Sequence, residues 1–219
     1  MGGISSAQAV LKEGEFAGSV GATYMLFEDS SIKFTGLSAA QAGFPIDQKV
    51  KFKNDDHGTS MSFDVLYMVT DDIAIDFGLF WPATVKQKVH HPDATTDGKY
   101  HFDIMPVHLS ARYFFMSPQD SLRPYVGLGG HYTDFRKAKI RDERVHKMNL
   151  DKSYGWLGQV GLVYGLSDLT FIDGSISYYD LQPDGNARIK VGGVTHHRVK
   201  VKDAQLSPIV FNISLGLRF

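Results

Sequence analysis

The segment from Ile209 to Phe219 constrains the fold of this chain more than any other. Ile209, Phe211, Ile213, Leu215, Leu217 and Phe219 fall on one face of an extended strand, and Val210, Asn212, Ser214, Gly216 and Arg218 on the other. Successive strand residues point to opposite sides. One side therefore meets a continuously apolar environment and the other a polar one. A strand buried on both faces would not carry Asn, Ser and Arg in one of its rows.

The same alternation returns upstream. Met61, Phe63, Val65, Tyr67 and Val69 oppose Ser62, Asp64, Leu66 and Met68; Ile73, Ile75, Phe77, Leu79 and Trp81 oppose Ala74, Asp76, Gly78 and Phe80. Met105, Val107, Leu109, Ala111, Tyr113 and Phe115 oppose Pro106, His108, Ser110, Arg112 and Phe114. Trp156, Gly158, Val160, Leu162, Tyr164 and Leu166 oppose Gln159, Gly161 and Gly165, and weaker strands cover 15–27, 122–136 and 169–181. No useful length of chain keeps a 3.6-residue apolar period, and no run approaches the roughly 18 apolar residues of a transmembrane helix.

Short polar turns at Thr70-Asp71-Asp72, Ser117-Pro118-Gln119-Asp120 and Ser167-Asp168 alternate with longer charged stretches at 29–56, 88–100, 137–152 and 182–203. This layout predicts an all-β fold: an eight-stranded antiparallel transmembrane barrel with short periplasmic turns and long extracellular loops. Residues 15–219 form its single domain. Residues 1–14 are read as a leader or N-terminal extension, with Met1-Gly2-Gly3 preceding a mature chain, because they lack a signal peptide's basic start and apolar stretch. A soluble barrel would have an apolar interior and a polar exterior. Here the apolar face carries Trp81, Trp156, Tyr113, Tyr164 and Tyr178, residues that suit a membrane interface. The predicted location is the bacterial outer membrane, with its lipids and lipopolysaccharide as partners; sugar phosphates would touch Lys137, Lys139 and Arg141.

Composition removes other classes. Lys+Arg 23 against Asp+Glu 24 points to no nucleic-acid partner, and the absence of cysteine removes disulfides, thiolate metal sites and cysteine nucleophiles. His90-His91 and His196-His197 make poor chelates, since neighbours on a strand diverge. No metal or other cofactor is expected. His108 and Ser110 could form a base–nucleophile pair, but their face points inward beside Arg112, away from lipid. No enzyme is expected.

Inside a barrel of eight strands, inward side chains can fill the lumen. Asp64, Asp76, Arg112, Gln159, Asp173 and Arg218 all point inward, within about seven residues of a short turn or the C-terminus. At ~3.4 Å per residue, they gather in the periplasmic half as a polar plug. Above them, the less charged Leu66 or Ser62, Phe80, His108, Pro106, Leu157 and Tyr179 suit a small apolar ligand.

Several stretches resemble the OmpW family: Asp64-Val65-Leu66-Tyr67-Met68-Val69-Thr70-Asp71-Asp72 running on to Pro82, and Arg123-Pro124-Tyr125-Val126-Gly127-Leu128-Gly129 with Tyr132-Thr133-Asp134-Phe135. Ser153-Tyr154-Gly155-Trp156, Tyr178-Tyr179-Asp180-Leu181 and the ending Gly216-Leu217-Arg218-Phe219 extend the resemblance. The resemblance implies an outer-membrane channel for passive uptake of small hydrophobic molecules, entering from outside and released sideways into the bilayer. Pro82 and Pro106 match family prolines near the lateral opening, where a second proline is here Val107. The family's bulky gate would fall on Gly78 and Ser177, leaving Phe80, Leu66, Phe114 or Tyr179 to form a constriction, or a wider barrel. The terminal Phe219 also resembles the signal read by the barrel-insertion machinery. The alternative is a structural or surface-interaction barrel that contacts host or phage and transports nothing.

Overall fold

Hydrogen bonding closes the alternating strands into a ring. In the computed structural model, residues 11–27, 30–35, 49–52, 57–89, 98–141, 145–191 and 194–219 are described. Their strands are β1 (Phe16–Phe27), β2 (Ser30–Thr35), β3 (Lys49–Phe52), β4 (His57–Met68), β5 (Ile73–Phe80), β6 (Ala83–Val89) and β7 (Gly98–Phe114). They continue as β8 (Leu122–Arg141), β9 (Val145–Leu150), β10 (Ser153–Gly165), β11 (Thr170–Tyr179), β12 (Gly185–Val191), β13 (Val194–Gln205) and β14 (Pro208–Arg218). The wall runs β1-β4-β5-β7-β8-β10-β11-β14 and returns to β1, each pair antiparallel. This is the predicted eight-stranded barrel.

Exposure follows the period of two. Along β14, Ile213, Leu215 and Leu217 are more than half exposed (62, 57 and 55%), whereas Val210 and Ser214 are 2% and 4% exposed. An apolar exterior over a closed ladder is what a bilayer requires, since every backbone polar group must be satisfied within the wall. From Gly165 up to Trp156, β10 supplies the roughly 9–11 residues that a tilted strand needs to cross the hydrocarbon. Exposed rings mark both ends: Phe16, Tyr67, Tyr113, Tyr164 and Phe219 below, and Tyr24, Trp81, Tyr154 and Trp156 above. The seam between β1 and β14 closes at Phe16 and Phe219, whose backbones exchange hydrogen bonds of 3.1 and 2.9 Å.

The wall continues beyond the upper rings. A second sheet, β3-β2-β13-β12-β9, rises on one side, while β6 pairs with the upper half of β7 on the other. Much of the charged stretches at 137–152 and 182–203 is therefore strand rather than loop. Alternation persists there beneath the charge: Ala187, Val199 and Val201 are fully buried, and Arg188, Lys200 and Lys202 are exposed. His90 and His91 lie outside the described residues.

At the opposite mouth, Leu11 is tucked into the lumen, 1% exposed, and the Gly14 amide donates to the Met68 carbonyl (2.9 Å). Residues 11–14 thus pack against the barrel they precede.

Candidate functional site

Register decides which inward side chains meet. Asp64, Gly78 and His108 lie directly opposite one another on β4, β5 and β7. Gly78 is the middle member. A Cβ there would collide with the His108 ring and the Asp64 carboxylate. Glycine leaves the gap over which those two approach, with His108 Nε2 at 3.9 Å from Asp64 Oδ1 and 3.1 Å from Asp76 Oδ2. The space beside Gly78 is thus filled from the neighbouring strand.

Arg112 is the centre of the layer. Its Nη2 donates to Asp76 Oδ2 (2.8 Å) and its Nη1 to Asp173 Oδ2 (2.7 Å), linking β5, β7 and β11. Its guanidinium lies 4.8 Å from the centre of the Tyr125 ring, whose hydroxyl donates to Asp173 Oδ1 (2.9 Å). Ser110 donates to Asp76 Oδ2 (3.3 Å) and accepts from Gln159 Nε2 (2.9 Å). Gln159 has room because Gly127 stands opposite it; a Cβ at Gly127 would fall 2.6 Å from the Gln159 side chain. Asp76 is fully buried and Arg112 is 5% exposed. Breaking such a buried pair costs about 3–5 kcal/mol, because the surviving charge has no solvent to turn to.

Five of the six residues expected in the plug therefore stand at one level: Asp64, Asp76, Arg112, Gln159 and Asp173. Arg218 does not join them. Its Nη1 lies 3.4 Å from Glu15 and its Nε donates to the Asp168 carbonyl, so it clamps the N-terminal extension and a turn at the periplasmic lip. As the last residue of β14, it reaches the rim rather than the lumen interior.

A cavity of about 10 Å³ adjoins the layer, bordered by Asp64, Asp76, Arg112 and Asp173, room for about one water. Asp64 Oδ2, Asp76 Oδ1 and Arg112 Nε, all buried, have no protein hydrogen-bond partner among the described residues. Donor atoms of Asp64, Asp76 and His108 lie within 4.8 Å of one another, close enough for a divalent cation. The Arg112 guanidinium already occupies Asp76 and opposes a second positive charge there. Ser110 and His108 both turn to Asp76 inside the lumen, so neither forms the lipid-facing nucleophile pair considered from sequence.

Below the layer lies an apolar floor of Leu11, Ala17, Leu66, Met68, Ala74, Phe114, Val163 and Phe171. Leu66 and Phe114 belong here and not to the upper lumen, because each sits on the turn side of its strand's charged residue. Beneath them Arg123, fully buried, stacks at 5.0 Å on Phe114 and donates to the carbonyls of Leu11 (2.9 Å) and Asp71 (2.6 Å). Arg123 and Tyr125 escaped the sequence reading. The inward parity of the weaker strand at 122–136 was the available signal.

Above the layer, Phe80, Leu157 and Tyr179 join Met25, Phe27, Phe102, Ile104 and Val210 in a second apolar cluster. The rings of Phe80, His108 and Tyr179 pack at 5.7–6.1 Å, and the Tyr179 hydroxyl meets His108 Nδ1 at 3.1 Å. Ser177, 7% exposed, stands opposite Gln159 and Val210.

The wall has a discontinuity at this height. Pairing between β5 and β7 ends at Leu79–Val107, and pairing between β6 and β7 starts at Ala83–Ile104. Pro106, buried beside the gap, has no N–H to give, and Pro82 stands in the break between β5 and β6. The Trp81 amide turns instead to the Met61 carbonyl on β4 (2.9 Å).

Comparisons with known proteins agree on the architecture. The family model described as OmpW family matches residues 12–219. Outer membrane protein W of Salmonella typhimurium (strain LT2) is 30% identical over 167 residues, 74% of each chain. Outer membrane protein AlkL of Ectopseudomonas oleovorans is 28% identical over 127 residues, 58% of this chain and 54% of that protein. The crystal structure of OprG from Pseudomonas aeruginosa superposes with a TM-score of 0.77 at 23% identity, covering 96% of this chain and 98% of that one. The solid-state NMR structure of AlkL in lipid bilayers gives a TM-score of 0.60 at 20% identity, covering 100% and 96%. The structural likenesses bear on the fold.

Proposed function

The chain belongs to the OmpW family of outer-membrane proteins, and we propose that it admits small hydrophobic molecules from outside and releases them sideways into the bilayer. The straight route through the barrel meets the Asp76–Arg112–Asp173 layer, which would have to be broken for an apolar molecule to pass. That one observation carries the reading. An uncharged solute entering from above finds apolar surface around Phe80, Leu157 and Tyr179 and then a costly polar barrier.

The interrupted pairing at Pro82 and Pro106 supports the sideways exit. A wall opens most cheaply where no ladder hydrogen bond has to be broken, since each such bond contributes about 0.5–1.5 kcal/mol. The proposed roles follow: Phe80, His108, Leu157, Ser177 and Tyr179 surround the cargo with Gly78, Pro82 and Pro106 border the exit, and the charged layer forms the floor.

The test is uptake of an apolar fluorescent probe into liposomes. Protein-containing vesicles should take it up faster than empty ones, and a disulfide across Trp81 and Met105, both replaced by Cys, should abolish the gain until reduced. Equal rates with and without protein would instead favour a barrel that serves the membrane without transporting.

A further inference from the structure

We propose that the outward face of the sheet above the membrane binds the phosphate groups of lipopolysaccharide in the surrounding leaflet. This does not depend on the transport reading. It starts from a division within β9, β12 and β13. Met148, Ala187, Val199 and Val201 turn inward and are 4% exposed or less, whereas Lys147, Arg188, Lys200 and Lys202 alternate with them and face out, all exposed.

Register gathers the cations further. Arg188 lies opposite Lys147 across the ladder between β12 and β9. Residues directly opposite share a face, and like charges in such pairs destabilise a sheet. A wall built only for stability would mix the signs. Among the residues whose side chains are described in this sheet, the four exposed cations share the outward face, while Asp151 and Asp184 sit together at its foot. Repelling cations held in rows are relieved by anions that bridge them, and a phosphate accepts hydrogen bonds from several Lys and Arg at once.

Among the described residues, the exposed acids Glu13, Asp71, Asp72, Asp120 and Asp168 lie at the periplasmic rim, at the far end of the barrel from this face. The cationic rows begin just beyond the upper ring of aromatics, where Lys152 lies 5.4 Å from the Tyr132 ring. That is the height of the phosphorylated sugars of the outer leaflet, which favours them over a soluble polyanion. Clusters of four to eight basic residues beside a membrane recognise anionic headgroups in the same manner.

The experiment uses the full chain in detergent micelles, with purified short-core lipopolysaccharide, the same material after phosphatase treatment, inorganic phosphate and a soluble sulfated polysaccharide as probes. Native mass spectrometry and a fluorescence titration read binding. The intact lipopolysaccharide should bind and weaken with salt, and dephosphorylation should weaken it about tenfold or more. The variant Lys147→Gln/Arg188→Gln/Lys200→Gln/Lys202→Gln should lose at least as much. If that variant does not fold, judged by heat-modifiable gel mobility, the two double variants on β9/β12 and on β13 replace it. Equal binding of the phosphatase-treated lipid, or unchanged binding by the variants, would overturn the proposal. Binding of the sulfated polysaccharide alone would overturn it in favour of a soluble partner.

Discussion

Two levels of one lumen, lined by the same strands, differ in almost every physical respect. At the level of Arg112, eight polar side chains from β4, β5, β7, β8, β10 and β11 are linked into one network. One step higher, Phe80, Leu157 and Tyr179 pack with Met25 and Val210 as an ordinary core. On β7 the inward row passes from Pro106 through His108, Ser110 and Arg112 to Phe114 within a few residues. The polarity of a small barrel's interior is therefore assigned level by level around the ring, and not strand by strand.

Removing the centre of the lower level should have the largest effect. Arg112→Ala leaves Asp76 and Asp173 buried without their cation, a loss of about 3–5 kcal/mol in urea unfolding of the refolded protein. Single-channel conductance should rise as the layer loosens. Conductance equal to wild type would show that this layer is not what closes the straight route.

A smaller effect is expected at the boundary between the levels. Gly78→Leu forces a bulky side chain into space that His108 and Asp64 share, costing about 1–3 kcal/mol as an overpacked site does. It also puts bulk at the position where the sequence resemblance implies a gate. A variant as stable as wild type would mean that the two side chains find another arrangement, which histidine ring resonances in NMR would reveal.

The mildest change probes how the levels are tied. Tyr179→Phe deletes one hydrogen bond to His108 and keeps the ring, so about 0.5–1.5 kcal/mol is expected, with probe uptake nearly unchanged. A loss of uptake in that variant would place the tyrosine hydroxyl on the cargo's path.

How much of this was readable in advance depended on whether the signal was local. Strand number, closure and the outward row rest on a period of two, which each segment displays alone. Asp64, Asp76, Arg112, Gln159 and Asp173 were legible for the same reason. That His108 fills the space of Gly78 was not, because it depends on which residue of β7 stands opposite β5, and alternation does not carry register. Arg123 and Tyr125 sit in a strand whose pattern is blurred by Gly127, Gly129 and Gly130. The strands above the membrane were hidden by charge: Lys200 and Lys202 read as solvated loop, although Val199 and Val201 alternate with them.

The facing cations of that upper sheet carry a consequence for the conditions in which the protein is handled. Exposed charge networks usually weaken in brine, since screening acts on attraction and repulsion alike. Here the interactions to be screened are repulsions between Arg188 and Lys147 across one ladder. The upper wall should therefore stiffen as ionic strength rises and loosen in dilute buffer, the reverse of the habit of surface ion pairs.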